Sequence, residues 1–425
     1  MNKKTSPFSP WETPQFLNNK KTSPFSPWET PQFLNNKKTN NTKKTSPFSP
    51  WETPQFLNNK KTSPFSPWET PQFLNNKKTS TKTKAIKTIK KFIINIAKPK
   101  LLPFINRVSA DINHRINYSK KIMSLFNLYT PTQFKKQCIE PYIYDNKLMY
   151  KLGNDIILKK QIGSPSVYGS IYYGTFKNNK LFKFAAKLFF WNTGEINEFK
   201  ILPTLSKAVF DNKCPHFPIY YSYTWCNQYD INNKLLPEVI IDNLENNNNE
   251  FCILFNELAN GDLILFNTIK YTNEEYLNSI FQIVISIFFY YEFIKGFHND
   301  AHGGNFLYHK IKKGGYYHYN ILGNNYYLKN VGYLWIIWDF SFTTPFNNYN
   351  IIYRDVKRIM ETGFRFSSLS IIKDINLLCY RKPTNLNNFL NDILSIFIKN
   401  NIILTTPPPN SFIINPNNPY TISTL

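Results

Sequence analysis

The chain has 425 residues, 42% of them hydrophobic, enough for one large domain or two lobes with extensions. Its net charge of +24 is uneven: the first hundred residues hold 19 Lys+Arg against 4 Glu, so +15 sits there and +9 is left for the rest. Five cysteines (Cys138, Cys214, Cys226, Cys252 and Cys379) show no paired spacing, which argues against a disulfide framework and for a reducing, intracellular compartment.

The start, MNKKTSPFSP, lacks the apolar core of a signal peptide. Residues 1–74 carry four near-identical copies of KKTSPFSPWETPQFL, marked by Trp11, Trp28, Trp51 and Trp68. Each copy is rich in proline and holds one Trp-Phe-Leu group, too little for a packed core, so residues 1–76 read as a disordered, partly extended arm. Its Ser-Pro and Thr-Pro pairs suit a proline-directed kinase or a reader of proline-rich strands; recent tandem duplication explains the copies equally well. Residues 77–100 carry nine Lys and no acid, with Ile86, Ile89, Ile93 and Ile96 at helical spacing. This linker or helix could meet nucleic acid or a membrane surface, or simply be solvated. Residues 101–145 form an N-terminal extension, expected to be helical.

Beyond about residue 145, short aromatic and β-branched runs predict strands at 155–161, 170–176, 182–190 and 251–257. Cys214-Pro-His216 followed by Cys226 gives a partial zinc pattern with no evident fourth ligand. After Thr272 the apolar runs lengthen into one helix ending near Phe297, with Asn273 as its cap and Glu274 and Glu275 in its first turn. Its most apolar part, 280–294, includes Gln282, Ser286 and Glu292 and falls short of a membrane span; no transmembrane segment is expected. Strands followed by helices suggest an α+β protein with a cleft between two lobes.

The next stretch, FHNDAHGGNFL, packs His298, Asp300, His302 and Asn305 into eight positions of a chain with six histidines. A metal site on His298, Asp300 and His302 requires a strand, and Gly303-Gly304 makes a loop. A plain helix C-cap explains the glycines but not Asp300 or Asn305. A phosphoryl-transfer site explains more, because it needs a carboxylate near an acceptor hydroxyl and oxygen ligands for Mg²⁺. Downstream, YLWIIWDFSF is an apolar strand with one charge, Asp339, which is unfavourable there unless something pairs with it.

These residues resemble the protein-kinase-like superfamily. The His-x-Asp-x-x-x-x-Asn loop of that family matches His298 to Asn305, and its Asp-Phe-Gly matches Asp339-Phe340-Ser341. A glycine turn from Ile162 to Tyr172 precedes Phe184-Ala185-Ala186-Lys187, and Glu198 follows where the partner of that lysine belongs. Phe251 to Leu263 is similar to the strand and hinge that hold adenine. The nearest likeness is to divergent serine/threonine-protein kinases of large cytoplasmic DNA viruses, iridovirus-like.

The resemblance implies a bilobal protein-kinase-like fold, with a β-rich N-lobe over 146–258 and an α-rich C-lobe over 259–425. It implies ATP and Mg²⁺ as cofactors, a protein substrate, and a place in the host cytoplasm or the virion. Asp300, Lys187 and Glu198 would be catalytic. Ile162, Gly163, Gly169, Ile171, Lys187, Phe255, Glu257, Leu258 and Asp262 would hold ATP, with Phe255 at the gate and Asp262 reaching the ribose. Asn305 and Asp339 would bind the metal, and His298 and Asp355 would brace the loop.

Several features depart from the family. The glycine turn is one residue longer and carries Pro165-Ser166 where a middle glycine belongs. Asn299 replaces the loop arginine and His302 the lysine expected two places after the catalytic Asp. A Gly-, Asn- and Tyr-rich insertion near 311–332 separates Asn305 from Asp339. Only 16 positions then lead to Asp355, with no Ala-Pro-Glu between. A small-molecule kinase of aminoglycoside-phosphotransferase type, or a pseudokinase scaffold with a partner-binding arm, therefore stand as alternatives.

Overall fold

The computed structural model describes residues 104–129, 138–166, 169–190, 193–226, 235–237, 240, 251–346, 351–364, 369–423 and 425. The chain divides into a unit Met1–Thr88 and a unit Ile89–Leu425; all that follows belongs to the second. The expectations for the repeat arm and for the basic segment 77–100 lie outside the described residues.

The first element among the described residues is the helix α1 (Phe104–Tyr129). Six strands and a helix follow: β1 (Glu140–Tyr144), β2 (Lys147–Leu152), β3 (Ile156–Ser166), β4 (Gly169–Phe176), β5 (Asn179–Phe190), α2 (Thr193–Phe210) and β6 (Tyr220–Cys226). With β7 (Phe251–Asn256) they make a seven-stranded sheet in the order β1-β2-β3-β4-β5-β7-β6. The alternation of strand side chains sets what each face carries. On one face Phe126 of α1 meets Phe176, Phe184 and Phe255 at ring separations of 5.0, 5.0 and 4.5 Å. The extension is thus part of the sheet's core. Cys138 and Cys226 form a disulfide across 88 positions, linking the two edges of the sheet, with Cα atoms 5.5 Å apart. This corrects the reading of five unpaired thiols, because spacing along the chain carries no record of which edges meet. Cys214, Cys252 and Cys379 remain as buried thiols.

After the sheet come β8 (Gly261–Asp262), a single turn α3 (Leu263–Phe266) and the long helix α4 (Asn273–Ile294). The cap of α4 is Thr272 and not Asn273: its hydroxyl accepts from the Glu275 N–H at 3.2 Å while Glu275 accepts from the Thr272 N–H at 2.9 Å. Among the described residues α4 is the one helix long and apolar enough to cross a membrane, and most of it is buried inside the protein.

Short strands β9 (Gly296–Phe297), β10 (Phe306–Lys310), β11 (Tyr316–Ile321), β12 (Asn324–Lys329), β13 (Tyr333–Ile337) and β14 (Thr344–Pro345) lead to helices α5 (Arg354–Thr362), α6 (Ser370–Tyr380) and α7 (Leu386–Lys399). The described part closes with β15 (Ile403–Leu404) and β16 (Tyr420–Ile422). The Tyr-rich insertion folds as the hairpin β11–β12, flanked by β16 and β15, and buries Tyr317 and Tyr319 completely. A sheet-rich part followed by a helix-rich part is the arrangement expected from the strand and helix patterns.

Candidate active site

Strand pairing carries Lys187 to the site. Ile171 stands opposite Lys187 across β4–β5, Ile162 opposite Ile171, and Leu254 opposite Lys187 across β5–β7. Directly paired residues share a face, so Ile162, Ile171, Lys187 and Leu254 line the side away from α1. On that side Lys187 Nζ lies 2.5 Å from Glu198 Oε2 of α2 and 3.2 Å from Asp339 Oδ1. Glu198 is fully buried and Lys187 nearly so. A buried pair stands only where further partners offset desolvation, and here Ser341 Oγ lies 2.9 Å from Asp339 Oδ1 and 3.3 Å from Glu198 Oε2. Burial alone would raise the Asp339 carboxyl, but Lys187 and then Ser341 outweigh it and hold the group below its ordinary value.

Asp339 follows β13, and Asn305 precedes the strand paired with it, so the ladder places them side by side: Phe306 faces Ile337, and the Trp338 N–H donates to the Asn305 carbonyl at 2.8 Å. Asn305 Nδ2 donates to the Asp300 carbonyl (2.9 Å) and to Asp300 Oδ2 (3.0 Å). His298 is buried beneath. Its Nδ1 accepts from the Asp300 N–H at 3.2 Å, so Nε2 carries the hydrogen and donates to the Trp338 carbonyl at 2.8 Å. Asp355, in the first turn of α5, accepts from the N–H groups of His298 (2.8 Å) and Asn299 (2.9 Å) and from the Tyr291 hydroxyl (2.9 Å). These bonds fix the loop from below.

Asp300 has a partner that the motif did not reveal. Arg358, one turn along α5 from Asp355, donates to Asp300 Oδ1 at 2.6 Å and to the Asn299 carbonyl at 2.8 Å. The signal was its place three positions after Asp355 on the same helix face. His302 Nδ1 accepts from the Gly304 N–H, and its Nε2 lies 3.4 Å from Asp300 Oδ2. Asn299, at φ 61, donates from Nδ2 to Thr344 Oγ1 (2.8 Å) and to the Phe342 carbonyl (3.0 Å). Asn tolerates that left-handed backbone better than most residues. The segment after Asp339 is held further by Tyr290 to Thr343 Oγ1 at 2.6 Å, by Asn197 to the Thr343 carbonyl at 3.2 Å, and by the pairing of β14 with β9.

Other expected residues fall differently. Phe255 does not face the site, because the register sets it opposite Ala186 on the α1 side, against Phe126 and Phe184. A one-residue step along a strand reverses the face, and the residue at that end of β7 on the Lys187 side is Asn256. Nor does the Glu257 carboxylate line the site. It is buried and grips Arg115 of α1 through both oxygens, at 2.5 and 2.8 Å, and accepts from the Ile219 N–H at 2.8 Å. Burial would raise its pKa, but Arg115 and then His309 hold it well below the carboxylate range. Leu258 is half-buried in the link from β7 to β8, and the peptide groups of Leu258 and Ala259 make no hydrogen bond among the described residues. Asp262 caps α3, accepting from the Leu265 N–H at 2.7 Å. Gly163 takes φ +74 with open space around it, whereas a Cβ on Gly169 would meet the Leu188 carbonyl at 2.6 Å. Gly169 is required by the sheet itself.

The zinc pattern dissolves. Cys226 is in the disulfide, and the buried His216 ring lies between the Trp335 carbonyl (2.7 Å) and the Tyr319 hydroxyl (2.9 Å). No group of three or more His, Cys, Asp and Glu side chains able to hold a metal exists among the described residues. Mg²⁺ has a different demand, oxygen ligands with one or two from the protein and the rest from phosphate and water. Asp339 Oδ2 and Asn305 Oδ1 accept no hydrogen bond among the described residues and fit it.

No protein-family model matches the chain, and no curated protein does. Among solved structures the chain is similar to the BubR1 kinase domain at 16% identity and a TM-score of 0.33, over 62% of this chain and 72% of that one. So loose a superposition carries no functional weight beside the contacts above.

Proposed function

We propose that this protein transfers the γ-phosphoryl group of ATP to serine or threonine hydroxyls of a protein substrate, with Mg²⁺. The observation that supports this reading is the convergence of the Lys187–Glu198 pair, Asp339, Asn305 and Asp300 in one site, with Asp355 bracing its loop. Lys187 holds phosphate oxygens while Glu198 fixes its ammonium. Asp300 orients the acceptor hydroxyl and takes its proton. Asn305 and Asp339 hold Mg²⁺, which when bound neutralises charge on the phosphates. Ile162 and Ile171 cover the base, the open peptides at Leu258 and Ala259 meet its edge, Asp262 reaches the ribose, and the exposed Gly163 leaves room near the phosphates.

The test is incubation of the purified protein with labelled ATP and Mg²⁺, with and without a mixed protein extract, beside Asp339→Asn. Label moves to protein in the wild type and falls at least a hundredfold in the variant, while its unfolding transition persists. Transfer at the wild-type rate by the variant refutes the site. One observation favours a small-molecule acceptor instead: only 16 positions separate Asp339 from Asp355, leaving little chain for a peptide platform. Label appearing on small hydroxyl compounds but never on protein selects that reading.

A further inference from the structure

Asn256 ends β7 fully buried, and neither its Oδ1 nor its Nδ2 has a hydrogen-bond partner among the described residues. Native proteins rarely leave a buried carboxamide unmet at both ends, and a group waiting for a ligand is one reason they do. The sheet register says where this carboxamide faces. Asn256 stands opposite Ala185, two residues from Lys187, while Leu254 stands opposite Lys187 itself. Alternation therefore sets Asn256 on the Lys187 side, with Phe255 turned away to the rings of Phe126 and Phe184. Immediately after it comes the link whose Leu258 and Ala259 peptides are open.

We propose that Asn256 reads the base of the bound nucleotide. A carboxamide offers a donor and an acceptor side by side, and the matching partner is an edge with an acceptor beside a donor, as adenine presents with a ring nitrogen next to its 6-amino group. The inference rests on the phosphoryl-transfer reading and adds to it the residue that selects the base. Burial sharpens the selection. A ligand that lacks the amino group pairs with the carboxamide N–H but leaves its buried oxygen without a donor, which is how polar pockets reject such analogues.

The full-length protein, titrated calorimetrically in Mg²⁺ with ATP and with purine riboside triphosphate, which lacks the 6-amino group, tests this. The wild type binds ATP at least tenfold more tightly than the analogue; Asn256→Leu and Asn256→Ala bind the two within about twofold of each other. In the absence of nucleotide Asn256→Leu, which removes two unmet polar groups at similar volume, unfolds at least about 2 °C higher than the wild type. Equal affinity of the wild type for both nucleotides, discrimination retained by the variants, or a lower unfolding temperature for Asn256→Leu overturns the assignment alone. Absence of any nucleotide binding by the wild type overturns the phosphoryl-transfer reading together with it.

Discussion

Arg115→Ala would remove the group that ties helix α1 to the link between β7 and β8. In the wild type Arg115 meets both oxygens of Glu257 and donates to the carbonyls of Pro215 (2.7 Å) and Phe217 (2.5 Å), with both partner side chains almost fully buried. Breaking a buried pair from one side costs about 3–5 kcal/mol, because the other charge is stranded. Two carbonyls also lose their donors, at about 1 kcal/mol each. Glu257 keeps the Ile219 N–H at 2.8 Å and His309 at 3.2 Å, which takes the loss to the low end, about 5 kcal/mol in all. That is a large part of the 5–15 kcal/mol by which domains are stable. Urea unfolding followed by tryptophan fluorescence measures it from the midpoint at constant slope. Arg115→Met with Glu257→Gln, which removes both charges and keeps an acceptor for Ile219, should recover more than half of the loss. A loss below about 1 kcal/mol in Arg115→Ala would refute the view that this contact is desolvated and structural.

Acid should weaken the fold first through His216. Its pKa is lowered from 6.5 to about 4, chiefly by burial, so the native state stays neutral while the unfolded chain gains a proton. The contribution is therefore whole above pH 6.5 and lost as pH falls from 6.5 to 4, by about 3 kcal/mol; His216→Asn should flatten that slope in urea midpoints taken across the window. Phosphatase treatment should leave ATP turnover unchanged, since Asn299, Tyr290 and Asn197 already hold the segment after Asp339; a tenfold fall would refute this. Thr343→Ala with Thr344→Ala should lower stability by about 1–2 kcal/mol, because both hydroxyls are hydrogen-bonded. Deleting residues 1–76 should leave the unfolding free energy of the remainder within about 0.5 kcal/mol, and a collapsed transition would show that the repeats pack on it.

Periodicity and isolated charge were readable along the chain. The runs at 155–161, 170–176, 182–190 and 251–257 lie within one residue of strands or inside them, and a lone Asp339 in an apolar strand pointed to a pairing group, which is Lys187. What was not readable depended on partners far away in sequence. Arg115 and Glu257 are 142 positions apart, and Cys138 and Cys226 88, and neither pair leaves a local trace. Face assignment failed at Phe255 for another reason: in a strand buried on both sides hydrophobicity does not alternate, so only the register separates Phe255 from Asn256. In the Tyr-rich insertion the strands are masked by glycines and asparagines, which are turn residues, yet its tyrosines alternate inward as β11 and β12.

Helix α4 has a consequence for how the protein is made. Its apolar surface is covered by chain that follows it: Tyr319 of the hairpin and Phe397 of α7 close on Phe281 at 5.6 and 5.1 Å, and Phe389 closes on Phe288 at 5.8 Å. During synthesis at about 5–20 residues per second, that helix leaves the ribosome many seconds before its cover does. In that interval it offers the same length and apolarity as a membrane span, to chaperone, targeting factor or neighbouring chain alike. A product that stops short of α7 would keep that exposure for its whole lifetime, so premature termination should send the protein to aggregates or degradation rather than leave a smaller working lobe.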